Sequence, residues 1–167
     1  MIPIRFAVLT VSDTRTPADD KSGDTLATRI GEAGHVLADR KIVPDDFGAI
    51  RHAVEPWIDD PEVDVILTTG GTGLAVRDVT PDAIEPLFDK RIEGFAAVFH
   101  RISFEKIGTS TIQSRATAGL ARDTFIFVLP GSPGACRDAW DGILKLQFDS
   151  RQKPCNFTEV MPRLKRA

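Results

Sequence analysis

Cysteine is scarce in this chain and long apolar runs are missing. Two cysteines, Cys136 and Cys155, stand among 167 residues, and no CxxC occurs. That count does not suggest a secreted disulfide framework and suits a reducing compartment. No apolar stretch approaches the roughly 20 residues that cross a bilayer. The opening residues, Met1-Ile2-Pro3-Ile4-Arg5-Phe6, run straight into strand-like sequence. They lack the charged region, apolar core and small-residue cleavage site of a signal peptide. The expectation is a cytoplasmic protein with no membrane partner. Neither sign of charge is in large excess, with 21 Lys and Arg against 24 Asp and Glu and a formal net charge of −3. A general nucleic-acid surface is therefore not expected. Arg163, Lys165 and Arg166 read as a solvated basic end.

Several catalytic signatures are missing as well. His35, His52 and His100 are scattered and show no ligand spacing. No GxSxG elbow exists, because Pro130-Gly131-Ser132-Pro133-Gly134 sets proline next to its serine. No GxxxxGK[ST] occurs, which excludes a P-loop NTPase. The dinucleotide fingerprint GxGxxG fails too, since Gly71 and Gly73 would need a third glycine where Val76 stands. Cys136 reads as a packed helix residue and Cys155 as a loop residue.

What is present is a regular alternation. The composition, 42% hydrophobic and 27% charged, suits one domain with a substantial core. The chain reads as a single unit over 1–167, with 150–167 as an extended tail without clear period. Apolar runs at 4–11, 35–43, 63–68 and 124–129 read as strands. Between them fall helical patterns. Ser22 is a candidate cap for a helix carrying Leu26, Ile30 and Ala33 and ending at Gly34. Asp46 is the candidate cap for a second, with Ile50, Ala53, Val54, Trp57 and Ile58 on one stripe and Pro56 interrupting it. Thr80 as N-cap with Pro81 at the first helical position starts a third. A fourth runs over 93–106 with Phe95, Val98, Phe99 and Ile102 inward. The last holds Ala135, Ala139, Trp140, Ile143 and Leu146. Residues 14–23 and 108–118 read as polar connections. Strands alternating with helices predict an α/β fold whose mainly parallel sheet is covered on both faces.

The most informative stretch is 64–82, DVILTTGGTGLAVRDVTPD. An apolar strand opens into three close glycines, which expose backbone N–H groups suited to anions, above all phosphates. A tight turn between strand and helix accounts for the glycines as well. Similar loops follow other strands: Ser12-Asp13-Thr14, Pro44-Asp45-Asp46 and 130–134. In a parallel sheet these share one edge, where ligands bind. Asp45 and Asp78 are the carboxylates best placed to hold Mg²⁺ beside a phosphate loop. As turn residues or caps they would have an ordinary explanation.

Taken together, these motifs resemble those of the MoaB/MogA family of molybdenum cofactor biosynthesis proteins, to which domains of gephyrin belong. The resemblance rests on Thr68-Thr69-Gly70-Gly71-Thr72-Gly73 with Arg77-Asp78-Val79-Thr80-Pro81, and on Val11-Ser12-Asp13-Thr14-Arg15. Val43-Pro44-Asp45-Asp46, Ser114-Arg115 and Leu129-Pro130-Gly131-Ser132-Pro133-Gly134 add to it. The end, Pro154-Cys155-Asn156-Phe157 and Met161-Pro162-Arg163-Leu164, is similar to the MoaB branch. The resemblance implies a three-layer α/β/α, Rossmann-like fold. It implies a molybdopterin adenylyltransferase that moves AMP from Mg-ATP to the terminal phosphate of molybdopterin. Asp45 and Asp78 would be the catalytic, Mg²⁺-organising pair. Thr69, Gly70, Gly71, Thr72 and Gly73 would line the nucleotide–pterin site. Pro130, Gly131, Ser132 and Pro133 would form its opposite wall, and Ser114 would contact the pterin. Molybdopterin and ATP are the implied small-molecule partners, and a homo-oligomer, trimer or hexamer, the implied assembly. A non-catalytic molybdopterin-binding or scaffolding oligomer of the same pathway is the alternative.

Overall fold

The computed structural model describes residues 1–164, so Lys165 and Arg166 of the expected basic end lie outside the described residues. Six strands, β1 (Arg5–Val11), β2 (Val36–Val43), β3 (Val65–Thr69), β4 (Lys90–Arg91), β5 (Thr117–Ala121) and β6 (Thr124–Leu129), form one sheet. Their order is β2-β1-β3-β6-β5-β4. The pairs β1–β2, β1–β3 and β3–β6 are parallel, whereas β5 is antiparallel to both β6 and β4. The mainly parallel sheet is as expected; the β4–β5 edge is not. β5 reads Thr-Ala-Gly-Leu-Ala and lacks the large β-branched residues that mark a strand. It is held instead by the turn at Arg122, whose φ is 54°, which folds it back along β6.

Alternation along the strands builds two cores. Phe6 and Val8 of β1, Val65 and Leu67 of β3, and Phe125 and Phe127 of β6 face one way. Ala7, Leu9, Ile66, Ile126 and Val128 face the other. The side-chain period of two makes this separation automatic. From β1 the chain crosses to β2 on one side, then returns past β1 to β3 on the other. Right-handed crossovers therefore place the two connecting helices on opposite faces. Leu26 and Ile30 of α1 (Lys21–Glu32) join the first core. Ile50, Ala53, Val54 and Trp57 of α2 (Phe47–Asp59) join the second. α3 (Thr80–Ile84) adds to the second core. α4 (Glu93–Ile107) and α5 (Pro133–Ala139) add to the first.

Several local expectations need correction. α1 is capped by Asp20, whose carboxylate accepts from Gly23 N at 3.0 Å. Ser22 instead lies in the first turn and donates its hydroxyl to Gly131 O at 2.7 Å. Asp20 is the stronger acceptor and also takes Thr10 Oγ1 and Arg40 Nη2, so part of the stretch read as a polar loop is buried. Thr80 is the first residue of α3, not its cap; Val79 holds that position with no side-chain bond. Thr80 N donates to Gly71 O at 3.1 Å, which draws Thr80 into the turn. On α4 Phe95, Phe99 and Ser103 are buried and Ile102 packs against the core as expected, while Val98 is exposed. After α5 the helix passes through a π-helical turn, Trp140–Leu144, into α6 (Lys145–Gln147). The wider turn aligns Trp140, Leu144 and Phe148 inward and leaves Leu146 exposed. The 108–118 connection contains a 3₁₀ stretch, Gly108–Gln113, before β5.

The expected extended tail is fastened down. Phe157 meets the rings of Phe125, Phe148 and Phe127 at centroid distances of 4.9, 5.5 and 5.9 Å. Met161 and Leu164 of α7 (Met161–Leu164) pack on the same core. This segment lacks a repeating period because three anchors, not a helical stripe, hold it.

Candidate active site

The parallel strands β2, β1, β3 and β6 all end at one edge. The chain's direction across the sheet reverses between β1 and β3, which opens a crevice between the loops that follow them. Asp13 follows β1, Asp45 follows β2, the 70–78 segment follows β3, and 130–134 follows β6.

The glycine loop is shaped by close approach. Gly71 has φ +69°, and a Cβ there would lie 2.2 Å from Thr80 Oγ1 and 3.2 Å from Asp45 Oδ1. A Cβ on Gly73 would lie 2.7 Å from Asp78 Oδ2. The absent side chains are thus the room in which Asp45 and Asp78 approach the loop. Gly70 N donates to Leu129 O at 3.0 Å, and Thr69 Oγ1 to Pro130 O at 2.8 Å. These bonds join the 69–73 and 130–134 loops at their bases. They are therefore adjoining loops of neighbouring strands rather than facing walls. Gly131 O also accepts from Ser22 Oγ and from Arg15 Nη2, at 2.7 and 3.3 Å. Ser132 caps α5 by accepting from Ala135 N at 3.1 Å, and Pro133 is the first residue of that helix. Thr72 and Ser114 share a hydrogen bond of 3.1 Å between their hydroxyls.

Asp13 and Asp45 clasp each other. Asp13 N donates to Asp45 Oδ2 and Asp45 N to Asp13 Oδ1, both at 3.0 Å. Arg77 closes on Asp13 with Nε and Nη2 at 2.6 and 2.9 Å. The two carboxyls titrate in opposite directions. The Arg77 guanidinium, then the Asp45 backbone N–H, hold Asp13 below the usual carboxylate range. Burial, then the negative charge of Asp13, push Asp45 up, and the charge of Asp78 adds to this. Asp78 turns its Oδ2 to Ala75 N at 3.1 Å. Asp45 and Asp78 are thus brought to the same loop.

Asp13, Arg77 and Arg115 belong to this constellation but were not singled out in the sequence. Asp13 carries the same signal as Asp45, an acid just past a parallel strand. Arg77 and Arg115 were visible only as neighbours of Asp78 and Ser114. The histidines take no part that resembles a ligand set. His35 Nδ1 accepts from Ile4 N at 3.1 Å and His100 Nδ1 pairs with Thr111 Oγ1 at 2.8 Å, while His52 is exposed. Cys136 is fully buried as expected, and burial pushes its thiol up to about 11, so it is not a thiolate at neutral pH.

Among the described residues no group of three or more His, Cys, Asp or Glu is placed to hold a metal by itself. The donors at the loop are nevertheless hard oxygens, and burial, then the acidic neighbours of Asp45, push its carboxyl up. Such a pair suits Mg²⁺, which takes one or two carboxylates and completes its shell with water and substrate phosphates.

A family model described as a probable molybdopterin binding domain matches residues 7–149. The chain belongs to the MoaB/MogA family. It is 53% identical to molybdenum cofactor biosynthesis protein B of Escherichia coli strain K12 over 156 residues, covering 93% of this chain and 92% of that one. A crystal structure of a molybdenum cofactor biosynthesis protein B superposes with a TM-score of 0.88 at 38% identity, covering 98% of this chain and 96% of that one. A MogA structure superposes with a TM-score of 0.80 at 26% identity, covering 96% and 99%. These MoaB/MogA neighbours share the expected layered α/β fold. Among the described residues no helix is long and apolar enough to cross a membrane.

Proposed function

We propose that this chain acts in molybdenum cofactor biosynthesis as a molybdopterin adenylyltransferase. Family membership supports the pathway; the transfer is the finer reading. Its chief support is the meeting of Asp45 and Asp78 at Gly71 and Gly73, in space that a side chain would fill. Gly70 N is spent on Leu129 O, whereas Gly71, Thr72 and Gly73 have no hydrogen bond from their N–H groups among the described residues. Those three are the donors for phosphate oxygens. Thr72 and Ser114, paired through their hydroxyls, form the pterin side.

The reaction needs no protein nucleophile. A terminal phosphate oxygen of molybdopterin forms a bond to the α-phosphorus of ATP, the bond to the β-phosphate oxygen breaks, and pyrophosphate leaves. Asp45 and Asp78 would hold Mg²⁺, which supplies charge neutralisation for the triphosphate. The loop orients both substrates and stabilises developing charge, the main demands of this chemistry.

Purified protein, molybdopterin, ATP and Mg²⁺ are expected to give adenylylated molybdopterin and pyrophosphate. Asp78→Asn should lower the rate by about 100-fold or more, the scale seen when one charge-stabilising group is removed, with melting unchanged. Asp45→Asn should behave alike. Survival of wild-type turnover in Asp78→Asn would remove its assigned role. Molybdopterin binding by the wild type without any product would instead leave the non-catalytic pterin-binding or scaffolding oligomer.

The assembly belongs to the same proposal. Phe104, Ile107 and Ile112 lie on α4 and the 3₁₀ stretch after it, each more than half exposed. Large apolar side chains left exposed on these successive elements support self-association as a trimer or hexamer.

A further inference from the structure

We propose that Arg115 is a positioning residue for Asp78, and that it acts through main-chain carbonyls rather than through its ion pair. The inference rests on Asp78 serving AMP transfer. Asp78 sits between β3 and α3 in a stretch with no regular structure, and Leu74, Ala75, Val76 and Arg77 before it are exposed. Within that stretch the bonds are few: Asp78 N to Ala75 O at 3.0 Å and Ala75 N to Asp78 Oδ2 at 3.1 Å. Thr80 N to Gly71 O closes its ends at 3.1 Å, and Arg77 pairs with Asp13, but that pair is exposed and holds the side chain of Arg77, not the backbone that carries Asp78.

Arg115 ties the main chain of the bend from outside. Its backbone N donates to Thr72 O at 2.9 Å. Its Nε donates to Gly73 O at 3.1 Å and its Nη2 to Asp78 O at 2.6 Å. Its Nη1 reaches both oxygens of Asp82, on the first turn of α3, at 3.1 and 3.0 Å. One guanidinium therefore grips the start of the bend, its end and the helix beyond. The three nitrogens point in fixed directions, which a lysine ammonium cannot reproduce. Asp82 is exposed, so its ion pair contributes little by itself and serves to aim the fork.

The full chain with Arg115→Lys, Asp82→Asn and Asp78→Asn, singly and combined, provides the test. Arg115→Lys keeps a cation opposite Asp82 but loses the fork. It is expected to lower kcat about 100-fold, the cost of a misplaced reacting group, while KM for ATP stays within about twofold. Asp82→Asn should change kcat by less than about threefold. In the Asp78→Asn background, Arg115→Lys should add no further loss, because the two act as a unit. Hydrogen exchange gives a readout independent of turnover: amides of 73–79 should exchange faster in Arg115→Lys, with the sheet unchanged. Wild-type kcat in Arg115→Lys, fully additive losses with Asp78→Asn, or unchanged exchange over 73–79 would each overturn the proposal. If the adenylyltransferase reading itself fails, the wild type shows no transfer while the exchange contrast persists.

Discussion

At Gly71 the backbone takes φ +69°, and an added methyl would stand 2.2 Å from the Thr80 hydroxyl. Alanine there meets both a left-handed backbone penalty and an overlap, together about 3 kcal/mol. Gly71→Ala should lower the urea midpoint accordingly and weaken ATP binding, as measured by calorimetry, because Thr80 and Asp45 are displaced. His35 makes a second prediction at this scale. Its Nδ1 accepts from Ile4 N in a buried setting, and burial holds the imidazole below its usual value. The unfolded chain binds the proton near pH 6.5 and the folded one only at lower pH. Stability from this residue is thus present above that pH and is lost as pH falls from about 6.5 toward the folded value. Urea unfolding at pH 7.5 and 5.5 should show the loss, at most about 1.4 kcal/mol per pH unit, reduced in His35→Gln. Residues were legible where chemistry demanded a type: two aspartates and a glycine run. Asp20, Arg77 and Arg115 were not, since each acts on a distant segment and no spacing announces a partner 20 to 64 residues away.

Among the elements, α1 depends most on one side chain. Asp20 caps it, accepts from Thr10 Oγ1 at 2.7 Å and pairs with Arg40 of β2 at 2.9 Å. Burial would raise its carboxyl, but the bonds from Thr10, Arg40 and Gly23 outweigh it and the net shift is downward. Its contribution is therefore complete at neutral pH and is lost only as pH falls below the ordinary carboxylate value of about 4. Asp20→Ala leaves three groups without their partner and should cost about 3 kcal/mol. That corresponds to a fall in Tm of roughly 10 °C by calorimetry. Strands β1, β3 and β6 and the helices with strong stripes were readable because burial on both faces writes an unbroken apolar run. β4 and β5 were not, because their pairing is imposed by β6 and the turn before it. The helix caps slipped by one or two residues where a tertiary bond, Thr80 N to Gly71 O or Ser22 to Gly131 O, competed with the local rule.

For the whole molecule, the two cores flank a sheet whose parallel strands deliver the candidate acids and glycine loop to one edge, where Ser114 and Arg115 enter ahead of the antiparallel β5. The parallel part of that follows from the alternation of strands and helices. The assembly does not, since an outward apolar residue and an inward one look alike in sequence; Val98 was misread for this reason. Phe104→Glu combined with Ile112→Glu should dissociate the proposed oligomer to monomers in light scattering, with melting of the subunit otherwise preserved. A wild-type chain that is already monomeric would remove the assembly from the proposal.

Asp45 follows β2, an edge strand whose residues are exposed or half-buried throughout. Such a strand opens before the core does. One of the two acids thus hangs on the part of the fold most easily peeled away, while Asp78 follows a fully buried strand. Mild denaturant should therefore silence the protein while its aromatic core still reports a native state. The lifetime of the active form is set by the rim of the sheet and not by its centre.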